Sequence, residues 1–174
     1  AFLPKEEHTA RLKKLLCLAE EGKPLPQDRP RLFLAGSVCD QSQVFDLIEA
    51  SGASIAGDDL CTGWRYFSED AAPVGDPMEA LADRFLRRVP CPCKYNPGID
   101  RGELLLKRVV ASRAKGVIFI LLKFCDPHAF DYPYLKGKLE EANVPSLLLE
   151  IEPGGLPLGA VKTRLKAFVE TLGG

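Results

Sequence analysis

The fold is decided by residues 116–122, Gly-Val-Ile-Phe-Ile-Leu-Leu, which Lys-Phe-Cys-Asp follows directly at 123–126. A short run without polar residues is typical of a strand buried on both faces of a parallel sheet. Strand and helix patterns alternate on both sides of this run, from residue 31 onward. That alternation predicts right-handed strand–helix–strand crossovers, with helices covering both faces of one sheet.

Working outward, the pattern predicts four strands, at residues 32–35, 54–56, 116–122 and 146–151. Helices are predicted at residues 43–50, 77–89, 100–114, 134–142 and 159–172. We therefore expect an α/β fold, a flavodoxin-like three-layer sandwich with a four-stranded parallel sheet in the order 2-1-3-4.

The first 30 residues form a separate unit in this scheme. Residues 6–21 predict a helix, in which Leu12, Leu15, Leu16 and Ala19 share one face. Three prolines within residues 23–30 predict a linker. We divide the chain into an appended N-terminal helix and linker, 1–30, and an α/β domain, 31–174.

The overall composition suits a cytoplasmic globular protein. The 174 residues are 46% hydrophobic and 27% charged, with a formal charge of −1. That balance predicts no nucleic-acid or anionic membrane partner. The run 116–122 is far shorter than the roughly 20 residues of a membrane span, and the charged N-terminus lacks a signal-peptide core.

Candidate site residues follow the predicted strands, because ligands of open parallel sheets bind beyond the carboxyl ends of the strands. Three of these residues, Cys39, Cys61 and Cys125, would converge on one edge if the strand order is right. Thiolates there suit soft metals and iron–sulfur clusters. With only two histidines in the chain, a histidine-rich zinc site is disfavoured. Neither a P-loop nor a dinucleotide fingerprint is present.

Each cysteine also has a packing or structural role as its alternative. For Cys125, beside an aspartate at the end of the central strand, we favour ligation. For Cys61 both interpretations stay open, and the same holds for whether Lys123 points into the site. We expect His128 in a loop-capping or surface position. A structural role is favoured for the remaining cysteines: Cys17, Cys39, Cys91 and Cys93.

Several segments together resemble the 2-hydroxyacyl-CoA dehydratase and benzoyl-CoA reductase subunit family. Residues 58–67, Asp-Asp-Leu-Cys-Thr-Gly-Trp-Arg-Tyr-Phe, are similar to the family's aspartate–cysteine–glycine–arginine segment. Residues 116–126 resemble its most recognisable strand, and 144–150 with 162–170 resemble its C-terminal strand and helix. Residues 90–92, Pro-Cys-Pro, also have a counterpart there. The resemblance runs from about residue 31 to 172.

The resemblance implies a longer subunit with two flavodoxin-like domains and a [4Fe-4S] cluster between them. Cys125 would be the ligand from the C-terminal domain, to which this chain corresponds. The other two of the three cysteine ligands that the resemblance implies would lie in the N-terminal domain, so the isolated chain is expected to be inactive. Cys61 is a secondary candidate ligand. Five residues are candidates for contacts that tune the cluster or bind substrate: Lys123, Asp126, Ser37, Asp59 and Arg65.

The implied chemistry is radical. An ATP-hydrolysing activator iron–sulfur protein would pass one electron to the cluster, which would reduce the thioester carbonyl of an acyl-CoA to a ketyl radical. Dehydration of a 2-hydroxyacyl-CoA, or ring reduction in the reductase branch, would follow. A homologous partner subunit is implied as well.

Two other interpretations remain open at this point. One is a cluster-free flavodoxin-like domain for binding or assembly. The other is a related double-cubane-cluster reductase, whose extra cysteines would include Cys61, Cys91 or Cys93.

Overall fold

The computed structural model describes residues 3–22, 28–88, 91–94, 96–152 and 157–173. The strands are β1 Arg31–Gly36, β2 Ser54–Asp59, β3 Gly116–Leu122 and β4 Ser146–Ile151. The helices are α1 Lys5–Glu21, α2 Gln43–Ala50, α3 Trp64–Phe67, α4 Pro77–Arg87, α5 Arg101–Ala111, α6 Asp126–Glu141 and α7 Leu158–Leu172. Residues 23–27 of the predicted linker, residue 90 of the Pro-Cys-Pro segment and residues 153–156 after β4 lie outside the described residues.

The four strands form one parallel sheet in the order β2-β1-β3-β4, which confirms the predicted topology. Ile118 in the middle of β3 pairs with Leu34 of β1 and Leu147 of β4. Flanked on both sides, β3 is buried from Gly116 to Leu121. This placement explains why the run 116–122 contains no polar residue.

Two apolar layers cover the sheet, because successive strand residues point to opposite faces. Leu32 and Leu34 of β1 pack with residues of α2 and α7 on one face. Phe33 of β1 and Phe119 of β3 pack with α5 and α6 on the other. The result is the predicted three-layer sandwich.

The end of β1 depends on a glycine. Gly36 has a φ of 130°, which L side chains rarely adopt. A Cβ at this position would also collide with the carbonyl oxygen of Ile120 in β3. The close approach of the two strands therefore requires glycine just before the candidate site.

Helix α6 is longer than its sequence pattern predicts. The expected start at residue 134 is wrong, because the helix begins at Asp126. Pro127 suits the first turn of a helix, where a backbone N–H would have no intrahelical partner. Pro133 lies inside α6. A second difference is that α3 replaces part of a predicted loop.

Helix α1 matches its predicted span to within one residue but contributes nothing to the core. Its predicted apolar face is exposed, with Leu12 52% and Leu15 61% accessible. The division of the chain at residue 30 stays a prediction. Among the helices of the described residues, none combines the length and the apolar character needed to cross a bilayer.

Candidate functional site

Ser37 joins the carboxyl ends of β1 and β3. Its backbone N–H and its hydroxyl donate to the Ile120 carbonyl at 2.9 Å and 3.2 Å. The hydroxyl also accepts from the Leu122 N–H at 2.7 Å, and the Ser37 carbonyl accepts from the Cys61 N–H at 3.4 Å. Ser37 is 1% exposed, so it fastens the Cys61 loop to the sheet. Its contact with a cluster or substrate stays a prediction.

Asp58 shapes the loop that follows β2. Its Oδ1 accepts from the backbone N–H groups of Leu60 at 3.0 Å and Trp64 at 2.8 Å. Gly63 lies so close to this carboxylate that a Cβ would overlap it. The resulting turn starts α3 at Trp64 and holds Cys61, half-buried, at the edge of the sheet.

Arg65 of α3 lies beneath this loop with only 3% of its surface exposed. Its Nη2 donates to the carbonyls of Gly36 and Asp59, the latter at 2.7 Å. Its Nε lies 3.2 Å from Oδ1 of Asp59, and its Nη1 has no hydrogen-bond partner among the described residues. Burial raises the pKa of Asp59, while the charges of Arg65, Arg101 and Arg108 oppose that rise.

The network of charged side chains continues toward α6 through Arg101, which is partly buried. Its Nε lies 2.8 Å from Oδ2 of Asp131, and its Nη2 lies 3.9 Å from Oδ2 of Asp59. The sequence predicted a role for Asp59 but not for Arg101 or Asp131. Arginine and aspartate on amphipathic helices ordinarily form solvated faces, so their pattern carries no signal of a buried network.

Cys61, Cys91 and His128 come together from three separate segments. Their ligand atoms all lie within 4.8 Å of one another, and Nε2 of His128 lies 3.4 Å from Sγ of Cys61. The expected loop or surface position of His128 is wrong: it lies in the first turn of α6 and is 3% exposed. The missed signal is Pro127, which permits a helix to start directly after Cys125.

Burial shifts the pKa values of His128 and Cys61. It lowers the pKa of His128 to about 3, helped by the charges of Arg65 and Arg101, so the imidazole is neutral at pH 7. Burial also raises the pKa of the Cys61 thiol, and the neighbouring Cys91 and Cys125 add to the rise. The group therefore contains a neutral imidazole beside a Cys61 thiol whose burial favours the protonated form, and a soft cation would displace that proton.

Cys125 follows β3 at the N-cap of α6 and is half-buried. Its N–H donates to the Leu122 carbonyl at 3.0 Å, and its own carbonyl accepts from the Ala129 N–H at 3.0 Å. A hydrogen bond with Cys91 raises the pKa of Cys93, and Cys125 adds to that rise. The thiol of Cys125 is thus held at the rim of the sheet, near other thiols and not sealed in the core.

Lys123 and Asp126, on either side of this cysteine, lie at the surface. Lys123 forms an ion pair with Glu152, which raises the pKa of the Lys123 ammonium. Asp126 borders an open depression of about 440 Å³. The lining residues are Pro92, Cys93, Asp126, Pro127, Phe130 and Asp131.

Two other cysteines, Cys39 and Cys17, lie outside the group of Cys61, Cys91 and His128. Cys39 is 8% exposed within the apolar core, and its thiol donates to the Gln41 carbonyl at 3.8 Å. Cys17 is exposed on α1. The packing role favoured for Cys17 is therefore wrong in the described residues, whereas Cys39 does pack in the core.

The fold and the site define an open parallel α/β domain whose carboxyl edge carries several thiols and a buried arginine. The sequence model of 2-hydroxyglutaryl-CoA dehydratase, D-component, matches residues 1–172. The chain belongs to this family.

Curated relatives agree with the family assignment. The chain is 30% identical over 171 residues to the (R)-phenyllactyl-CoA dehydratase beta subunit of Clostridium sporogenes, covering 98% of this chain and 46% of that protein. It is 28% identical over 172 residues to the beta subunit of lactoyl-CoA dehydratase from Anaerotignum propionicum, with coverage of 98% and 46%. It is 30% identical over 174 residues to a benzoyl-CoA reductase subunit of Thauera aromatica, with coverage of 98% and 45%. The chain thus spans about half the length of these relatives.

Proposed function

We propose that this chain forms part of a subunit of a radical acyl-CoA enzyme, with Cys125 binding iron of a [4Fe-4S] cluster. The observation that carries the proposal is the position of Cys125: half-buried at the carboxyl end of the central strand, and near enough to Cys61 and Cys93 to interact with them electrostatically. The names of the relatives, dehydratases of 2-hydroxyacyl-CoA esters and a benzoyl-CoA reductase, support the same chemistry.

The residues of this edge fit such a group. Cysteine thiolates are the ordinary ligands of four-iron clusters, and a helix N-terminus such as that of α6 favours negative charge beside it. The buried guanidinium of Arg65, with its unpartnered Nη1 among the described residues, adds positive charge to the same region. Cys61 is the weaker ligand candidate, because its thiol already faces His128 at 3.4 Å.

When bound, the cluster would supply one electron to the thioester carbonyl of an acyl-CoA. The chain's own residues would position and tune it. Asp59 and Arg65 are buried, which favours an electrostatic role over direct contact with a CoA phosphate. Lys123 and Asp126 are at the surface, where contact with substrate is open to them. Ser37 would hold the Cys61 loop against the sheet through its hydrogen bonds.

Further components belong to the proposal. A homologous partner subunit is expected because the relatives include beta subunits of dehydratases. The electron would come from an ATP-dependent activator iron–sulfur protein, and the location would be cytoplasmic. Because the chain spans about half the length of its relatives, we expect it to be inactive on its own.

The test is anaerobic reconstitution of the complete polypeptide with iron and sulfide. We expect broad visible absorption of an iron–sulfur cluster, lost in Cys125→Ser and kept in Cys17→Ser, whose thiol is exposed on α1. Cys61→Ser in the same assay decides whether that thiol is a cluster ligand. Undiminished absorption in Cys125→Ser would refute the proposal and favour a cluster-free domain or a cluster on other thiols.

A further inference from the structure

Cys61, Cys91 and His128 form a compact group of possible metal ligands that does not include Cys125. The three donors come from the loop after β2, the turn after α4 and the first turn of α6. Residues distant in sequence have thus been brought into one place by the fold. Cysteine thiolates together with a histidine imidazole are common ligands of Zn²⁺.

The spacing of the donors fits tetrahedral coordination. With Zn–S near 2.3 Å and Zn–N near 2.0–2.1 Å, neighbouring ligand atoms of a tetrahedral site lie about 3.6–3.8 Å apart. The observed distance from Cys61 Sγ to His128 Nε2 is 3.4 Å, and all the ligand atoms lie within 4.8 Å of one another. Small side-chain rotations would therefore place one ion within bonding distance of all three.

The donors are held in place by their surroundings. The Cys61 backbone is tied to Ser37 by its N–H, and the loop is fixed by the Asp58 carboxylate. His128 is 3% exposed in a regular helix. Arg65, also 3% exposed, acts electrostatically on Cys61 and leaves its Nη1 without a hydrogen bond among the described residues. Its positive charge favours thiolate over thiol.

We propose that Cys61, Cys91 and His128 bind one thiophilic divalent cation of the Zn²⁺ type, at a site separate from the iron bound by Cys125. Two thiolates and a neutral imidazole balance the charge of such an ion. Within the part of the chain that the structure describes, no fourth cysteine, histidine or carboxylate belongs to this group. The fourth coordination position is therefore assigned to water, as in zinc sites with three protein ligands.

The test uses the complete polypeptide, reduced and freed of metal with a chelator. Zn²⁺ is added in a calorimetric titration, and Co²⁺ is added separately as a spectroscopic probe of thiolate ligation. We expect one ion per chain and a tetrahedral thiolate–Co²⁺ spectrum. Cys91→Ser and His128→Asn should each weaken binding by more than the roughly 10–100-fold typical of losing an outer-shell partner. Circular dichroism identifies any variant that fails to fold, and the half-buried Cys91 makes its serine variant the safer one.

Cys125→Ser and Cys17→Ser serve as controls, and both should bind Zn²⁺ as the unaltered protein does. Any of three Zn²⁺-binding results would overturn the inference: absence of stoichiometric binding, full binding by Cys91→Ser, or equal loss in Cys125→Ser. Iron–sulfur absorption that depends on Cys61, Cys91 or His128 would also overturn it, because these residues would then belong to the cluster. Each of these results can refute the Zn²⁺ site without refuting Cys125 as a cluster ligand.

Discussion

Replacing Arg65 with methionine tests the buried charge network beneath the candidate site. Arg65→Met removes the ion pair with Asp59 and the donors to the carbonyls of Gly36 and Asp59. Both members of the ion pair are less than 10% exposed, so the remaining carboxylate would stay buried with a weaker counter-charge. Breaking a buried pair by removing one partner costs about 3–5 kcal/mol. That is a large part of the roughly 5–15 kcal/mol that typically stabilises a domain.

The assay is urea unfolding followed by circular dichroism, with the midpoint and the slope fitted separately. We expect the free energy of unfolding to fall by about 3–5 kcal/mol with an unchanged slope. The melting temperature should fall by about 6–20 °C, from about 2–4 °C per kcal/mol for a chain of this size.

The matched control is Arg87→Met. Arg87 pairs with Glu69 and Asp83 at 2.9 Å and 2.8 Å, but its side chain is 48% exposed. An exposed pair contributes about 0–1 kcal/mol, so this variant should lose little stability. If Arg65→Met loses no more than Arg87→Met, the buried network does not stabilise the fold in the way described.

Three further predictions concern stability. Gly36→Ala should destabilise the protein by roughly 3 kcal/mol or more, because the φ is unfavourable and the Cβ collides with β3. Gly137→Ala, in α6 with open space around it, should instead stabilise the protein by about 0.5–1 kcal/mol. Equal changes in the free energy of unfolding of the two glycine variants, measured in urea, would contradict both predictions. In chelator-treated protein, the pKa of His128 near 3, set by burial and by Arg65 and Arg101, lies below its ordinary value of 6.5. Between pH 6.5 and pH 3 the unfolded chain therefore carries a proton on this imidazole that the folded chain lacks. The stability that the neutral imidazole contributes is fully present above pH 6.5, and the free energy of unfolding falls by about 1.4 kcal/mol for each pH unit from there toward pH 3. His128→Asn should show a shallower decline of unfolding free energy in that range, and identical slopes would exclude a buried neutral imidazole.

The individual strands of the sheet could be predicted from local patterns. The bounds of β3, β4 and α2 agree with the sequence to the residue, because apolar runs and helical periodicity are local properties. The strand order followed from the general rules for parallel sheets. Cys125 at the rim followed from the same rules, since it comes directly after the central strand.

The rest of the site depends on packing that the sequence does not encode locally. The sequence pattern predicted helix α6 only from residue 134, whereas α6 begins at Asp126 and includes His128. Cys91 reaches Cys61 through a connection after α4, whose path no local pattern determines. The burial of Arg65 follows from the turn that Asp58 closes. Tertiary contacts, not propensities, assembled these residues.

The most direct test is whether iron protects Cys125 from alkylation. The complete polypeptide is treated with iodoacetamide without oxygen, before and after loading with iron and sulfide, and each cysteine is quantified by mass spectrometry. We predict that Cys125 reacts in the unloaded protein and is protected after loading, while Cys17 on α1 reacts in both. Equal alkylation of Cys125 before and after loading would contradict its role as an iron ligand.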